Sequence, residues 1–469
     1  MIVRNRAYLD ARGAPSLELL QSVCSEHERE LPRLKKLGDY YEVKHAIDAR
    51  QRSAGLPNTR IANDLPGYIV RITSGYLVGQ PVTYTDQEQQ QAIDAVLDAY
   101  KRSNADSLDA ELAVDAAVYG RGVVVCYAND QAQPRMAQLS PKAAFVVYDD
   151  TVEHAPMFGV HVVPVYNALG LQSEVMVTVY TAQAAIAYRG TGFAGLIAEG
   201  ESPHYFGGVP LVEVWNNAGE RGDFENVLTM IDAYDELQSD RVNDKEQFVD
   251  SILVLQGVMG FAPPAQEEDE VNGEGGSGKR SFAEQLREDK ALAIPEGSDV
   301  KWLDHQLDES SVEVLRKSLL DDIHKYSMVP DLTDEHFASN ASGVAMKYKL
   351  FGLEQLTKVK ERWFAEGLRQ RLRLMANFLD VRGGQKLDAD NVTITFTRSL
   401  PSNELEIAQT VTTLQGLVPD EILLAQVPFV EDAGQAMEQL RKQKEETARA
   451  QRDAFAPYPD ANAPEGDDA

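Results

Sequence analysis

Cysteine is scarce: Cys24 and Cys126 are the only two in 469 residues. Two are too few for a disulfide framework or a thiolate metal site, and both are expected to be reduced, partly buried thiols. The eight histidines are scattered, with no His-Glu-x-x-His or comparable ligand spacing, so neither a metal nor a cofactor is expected. Long apolar runs are absent too. None approaches the roughly 18–20 residues that a membrane helix needs, so no membrane partner is expected. Residues 1–16 mix charges with single apolar side chains and lead into no apolar core of the kind an export signal carries. That predicts a chain made in the cytosol. There is no Gly-x-Ser-x-Gly elbow, and no carboxylate pair has the spacing or apolar context of acid/base work. No catalytic residue stands out, and an enzyme is not expected.

Cations are the remaining shortage. Lys and Arg number 45 against 74 Asp and Glu, a net charge of −29. Gripping the DNA backbone is driven by neutralising phosphates with Lys and Arg; this chain is globally the opposite. Such a charge fits simple solubility, and it equally fits a surface that DNA passes without sticking. Charge alone leaves both open.

What is present is an ordinary hydrophobic content of 43%, on a chain long enough for two or three compact domains or one extended, multi-region subunit. Residues 31–76 read as helical, with Tyr68, Ile69, Ile72 and Tyr76 at helical spacing until Gly75, Gly79 and Pro81 stop them. An extended piece at 82–84 and helices over 87–103 and 108–119 follow. The text then turns to β-branched runs at 121–127, 145–148, 158–163 and 175–180, which predict antiparallel strands. Residues 1–222 are therefore expected to form an α+β region within a predominantly helical α+β chain. Asp223 is placed as an N-cap for a helix to about Val249, with Val227, Met230, Ile231, Tyr234 and Leu237 on one face and a highly charged surface (Asp232, Asp235, Glu236, Asp240, Arg241, Asp244, Lys245) on the rest. A strand at 251–258, an acidic glycine-rich stretch at 263–282 that cannot bury a core, extended pieces at 291–294 and 300–303, and a second helix at 309–326 come next. After a polar loop the longest helical text, 343–379, contains no proline, with Gly352 and Gly367 as expected bend points. A strand at 392–397, helices at 402–415, 419–426 and 431–453, and a frayed acidic tail at 454–469 complete the chain.

Two motifs are weighed and set aside. Gly273-Glu274-Gly275-Gly276-Ser277-Gly278-Lys279-Arg280 fits part of a phosphate-binding loop. Arg280, however, stands where a magnesium-binding Ser or Thr belongs, and no buried strand precedes the loop. Arg221-Gly222-Asp223 spells an adhesion tripeptide but reads more simply as a turn and helix cap. The loop at 331–342 carries Asp331, Asp334, Glu335 and His336 with no Lys or Arg, and Asn340 before the next helix. By itself it is a polar connector.

Four stretches in order resemble the siphophage-type portal proteins of tailed bacteriophages. The first is Tyr40-Tyr41-Glu42-Val43-Lys44-His45-Ala46-Ile47 with the run from Asn63 to Pro81, whose Tyr76-Leu77-Val78-Gly79-Gln80-Pro81-Val82 looks like the family's "GYLxGxPV" signature. The others are Gly120-Arg121-Gly122, Val209-Pro210-Leu211-Val212-Glu213-Val214-Trp215-Asn216-Asn217, and the text from Val329-Pro330-Asp331 through Ser342-Gly343-Val344-Ala345-Met346-Lys347-Tyr348.

The resemblance implies a portal fold: a wing at 1–222, a stem helix at 223–249, a clip at 250–308 carrying the loop 263–282, and a second stem helix at 309–327. A tunnel loop at 328–342, a long kinked helix and wing strand at 343–401, crown helices at 402–453 and a disordered tail at 454–469 would follow. It further implies a homo-oligomeric ring of about twelve subunits, in which one acidic position becomes a belt of charge that repels phosphates. Asp331, Asp334, Glu335, His336 and Asn340 would face double-stranded DNA in the channel. Lys317, Lys325, Lys347 and Lys349 would touch phosphates transiently. The implied partners are the terminase large subunit and a head-completion adaptor at the clip, and major capsid and scaffolding proteins at the wing. Localisation would be the portal vertex of the virion, after assembly in the host cytoplasm. An acidic monomeric scaffold or adaptor protein and a phosphate-loop nucleotidase are the alternatives.

Overall fold

The computed structural model describes residues 1–248 apart from 54–55 and 87–89, then 252–256, 299–303, 309–333, 343–398 apart from 385, 404–424, and scattered positions up to 447. Helix α1 (Leu17–Tyr41) starts where the Ser16 hydroxyl accepts from the Leu19 amide. That is earlier than the helical text at 31 suggests, because the helix runs through Pro32. An interior proline costs about 3 kcal/mol. Leu20, Val23, Leu34 and Leu37 on both sides of it are all buried, and that packing outweighs the break. Asp64 caps α2 (Leu65–Val78) by accepting from the Gly67 amide, with Pro66 in the first turn. Helices α3 (Gln90–Arg102) and α4 (Ala105–Tyr119) follow.

The first sheet takes β1 (Ile2–Arg4), β5 (Ala144–Asp149), β6 (Pro156–Tyr166), β7 (Gln172–Tyr180), β8 (Ala184–Gly190) and β9 (Ile197–Pro203) in that spatial order. Only the β1–β5 pair is parallel. The second holds β10 (Leu211–Trp215), β3 (Arg121–Ala128) and β4 (Pro134–Leu139). Strand β2 (Thr83–Thr85) pairs with β13 (Thr393–Thr395), and β11 (Ile252–Gln256) pairs with β12 (Asp299–Leu303). The Gly120-Arg121-Gly122 motif has a steric cause at the α4–β3 junction. Gly120 sits at φ +89°, where a Cβ would lie 2.1 Å from the Glu220 carbonyl oxygen, and a Cβ on Gly122 would lie 2.7 Å from that of Leu112.

Helix α5 (Leu228–Phe248) pairs with α6 (Glu309–Ser327). The long helical text is divided at Leu350 into α7 (Gly343–Lys349) and α8 (Phe351–Val381), so the interruption precedes Gly352. Gly367 is a contact rather than a bend: a Cβ there would meet Val214 of β10 at 2.8 Å. Short helices α9 (Glu404–Leu414) and α10 (Asp420–Leu424) follow. Most of the helix expected at 431–453, with the glycine-rich stretch, the phosphate-loop-like motif and the acidic tail, lies outside the described residues.

One core fills the space between α3, α4, β3, β10 and α8, a second lies between α1 and the six-stranded sheet, and a third gathers α1, α2, α4, α5, α6 and α8. Asp223 is not the N-cap the sequence suggests; a 3-10 turn (Glu225–Val227) precedes α5. Its amide donates to the Ala117 carbonyl, and its buried carboxylate accepts from Asn216 (2.8 Å), Thr73 (2.5 Å) and the ammonium of Lys360. With Arg371, which is fully buried against Asp109 and 4.8 Å over the Tyr100 ring, this pair fixes α8 against the body.

Candidate functional site

Helix α5 carries Asp235, Ser239 and Asn243 at intervals of four, which puts them on one face. All three are fully buried, which corrects the placing of Asp235 on a solvated charged surface. What covers them is an extended segment whose alternate amides face the helix. Thr59 N donates to Asn243 Oδ1 at 2.6 Å, Ile61 N to Ser239 Oγ at 2.9 Å, and Asn63 N to Asp235 Oδ1 at 2.9 Å. The other Asp235 oxygen takes His45 Nδ1, while His45 Nε2 lies 3.1 Å from the Tyr40 carbonyl oxygen. Tyr40 stacks on the imidazole at 4.6 Å and donates to Asp232 at 2.5 Å. Arg50 and Arg52 both pair with Asp240. Residues 56–64, with His45, Arg50 and Arg52, are thus a strap bound along α5, and the spacing of the three polar anchors on α5 is the sequence signal that could have found it.

On its next face α5 meets α6 through ions. Arg241 bonds Glu309 (2.9 Å) and Glu313 (3.0 Å), and Arg316 reaches both Glu313 (2.6 Å) and the Tyr234 hydroxyl (3.2 Å). The hydrogen bonds from Arg316, ahead of those from Arg241, hold the Glu313 carboxyl down at about 2.

The root of the 328–342 loop is held from both sides. His324 Nδ1 donates to the Val329 carbonyl oxygen at 2.9 Å. Tyr68 of α2 stands edge-on to His324 at 5.7 Å; its hydroxyl donates to the Pro330 carbonyl (2.9 Å) and accepts from the Leu332 amide (2.9 Å). Asp331 is half-buried, which by itself would raise its carboxyl. Hydrogen bonds from the hydroxyl (2.6 Å) and amide (2.9 Å) of Thr333 outweigh that and keep it below the usual range. Asp334, Glu335, His336 and Asn340 lie outside the described residues. Lys317, Lys325 and Lys347 are exposed, Lys325 lying 5.4 Å over the Tyr326 ring, and Lys349 is half-buried. Among the described residues no group of His, Cys, Asp and Glu could hold a metal ion, and no helix is long and apolar enough to cross a membrane.

The chain belongs to the phage portal proteins, SPP1 Gp6-like, whose family model matches residues 20–450. It is similar to the portal protein of Bacillus phage SPP1, 21% identical over 464 residues that cover 93% of this chain and 88% of that one. It is also 26% identical over 238 residues to the portal protein of Clostridium phage phiCD119 (strain Clostridium difficile/United States/Govind/2006). There the match covers 50% of this chain and 48% of the relative, so the chain spans about half of that protein's length. Among solved structures, a chain of "Neck of empty GTA particle computed with C6 symmetry" is similar at TM-score 0.43 and 12% identity, covering 78% of this chain and 90% of that one. A chain of "Neck of native GTA particle computed with C12 symmetry" is similar at TM-score 0.42 and 10% identity, with 78% and 91% covered. Portal proteins are structural, non-enzymatic parts of the virion. The scaffold and nucleotidase alternatives give way to that.

Proposed function

We propose that the chain is one subunit of a ring of about twelve copies at one capsid vertex, conducting double-stranded DNA in during packaging and out during ejection. The observation that carries this is the portal-family match over residues 20–450. The net charge of −29 supports it physically, because a conduit must not hold the phosphates that pass it. In this reading α5 and α6 are the stem, 250–308 the clip, and 1–222 with α8 and β13 the wing. The loop at 328–342 narrows the channel. The clamp by Tyr68 and His324 supports a loop held in place at its root. Asp331, Asp334, Glu335, His336 and Asn340 face the DNA, and Lys317, Lys325, Lys347 and Lys349 are its brief phosphate contacts. Terminase and the head-completion adaptor dock on the clip; capsid and scaffolding proteins meet the wing. Assembly takes place in the host cytoplasm.

Native mass measurement with negative-stain imaging of the purified protein tests the ring. A closed ring with a central hole is expected. A monomer that persists at high concentration, and with capsid and scaffolding proteins added, would overturn the proposal. Deleting 332–341 should then leave rings intact but impair packaging; normal packaging would remove the loop from the channel.

A further inference from the structure

Two helix faces in the described structure have no partner. Along α7 and α8, Tyr348 (79% exposed), Phe351 (60%), Val359 (46%) and Trp363 (36%) recur at helical spacing on one side. On α6, Val314 (70%) and Leu315 (50%) point away from α5. Large apolar side chains grouped in this way mark a surface covered by something else.

Charge says what covers them. Lys347, Lys358 and Arg362 outnumber one carboxylate, Glu366, among the exposed charges along the α7–α8 face, whereas Glu354 and Glu361 are half-buried against Arg398, Glu354 also pairing with Lys358. The α5–α6 pair leans the other way: among the described residues Glu236, Asp244, Asp321 and Asp322 have no ion-pair partner, against two exposed cations, Lys317 and Lys325. On α5 the strap occupies one flank and α6 the next, so Glu236 and Asp244 line the side left open, while Asp240 between them is held by Arg50 and Arg52 of the strap. A closed ring needs a head-to-tail contact, in which each subunit presents two different, complementary patches. An apolar stripe edged with cations and an apolar pair beside unpaired carboxylates are such patches.

We infer that the Tyr348–Phe351–Val359–Trp363 face of one copy packs on the Val314–Leu315 face and acidic open side of α5–α6 in the next copy. The inference rests on the ring proposed above and adds which surfaces close it.

Cross-linking tests it. Leu315→Cys and Val359→Cys are made singly and together, assembled, treated with a short bismaleimide and run on a denaturing gel. The native Cys24 and Cys126 are buried, with thiols pushed up to about 12 mainly by burial, and stay silent. The double variant should give a ladder of covalent multimers, and each single variant only monomer. Rings that form without a ladder would overturn the inference while leaving the portal reading standing, as would covalent dimers from either single variant, which signal a two-fold contact. Failure of the unmodified protein to form rings would overturn the portal reading first. A charge variant reads the electrostatic half: Lys358→Glu with Arg362→Glu should raise the concentration needed for assembly about tenfold or more. Unchanged assembly would refute that half.

Discussion

Both ring nitrogens of His45 face acceptors, the Asp235 carboxylate and the Tyr40 carbonyl, an arrangement that favours the doubly protonated imidazolium. Burial alone would lower its pKa; the hydrogen bond and charge of Asp235, with a smaller contribution from Asp232, raise it above the ordinary 6.5. A raised folded value means the pair stabilises fully below pH 6.5 and is lost as pH climbs through the folded value. Urea midpoints taken in steps above pH 6.5 should therefore fall faster for the native protein than for His45→Gln. His45→Ala leaves a buried carboxylate without its cation and should cost about 3–5 kcal/mol. Arg371 and Asp109 obey the same rule with a different exit. Arg371→Met alone should cost a similar amount, whereas Arg371→Met with Asp109→Leu should recover most of it, because no uncompensated charge is left inside. Chemical denaturation of the three proteins decides this. None of these pairs was visible in the sequence, since their partners lie 190 and 262 positions apart.

Among the elements, long periodic text was the most readable. The α5–α6 pair, the run from 343 to 379 and four of the strands fall where periodicity put them, within a few residues. The sequence put a bend at Gly352 where the break falls two residues earlier, at Leu350, and it did not show the start of α1 upstream of Pro32, where tertiary burial overrides a local breaker. Short strands such as β9, exposed along its whole length, carry no alternation to detect. The strap went unread, although Asp235, Ser239 and Asn243 at intervals of four on α5 were a signal for it. Its attachment predicts that Ser239→Ala, by leaving the Ile61 amide buried without an acceptor, costs about 1–3 kcal/mol. Hydrogen exchange should speed at amides 59, 61 and 63 before it does in α5 itself. At the loop root, Tyr68→Phe removes one donor and one acceptor at once; it should cost about 1 kcal/mol and expose the Leu332 amide to rapid exchange while leaving α2 protected.

For the whole molecule, charge governs the expected behaviour toward DNA. With a net −29 per chain, binding to short duplex DNA should be weak, and what remains should show a log–log salt slope near zero, because few phosphates are neutralised. Fluorescence anisotropy over a salt series measures this; a steep slope would mean that the lysines near the loop grip rather than graze. The ring contact inferred for α7–α8 behaves oppositely. Its rim of unlike charges should make assembly slower as salt rises.

The strap on α5 works as a vernier. A helix advances about 6.0 Å in four residues and an extended chain about 6.6–6.8 Å in two, so the two scales agree closely but drift by about 0.6–0.8 Å per rung. Over the rungs at Asn243, Ser239 and Asp235 that drift is within the play of side-chain rotamers. The scale also has a hard stop, since four residues before Asp235 comes Ile231, buried in the core with no oxygen to offer. A strap shifted by two residues would meet that stop with one amide unanswered and leave Asn243 facing nothing at the far end. The alignment is therefore stopped on that side by where the row of polar side chains ends, rather than by any single strong bond.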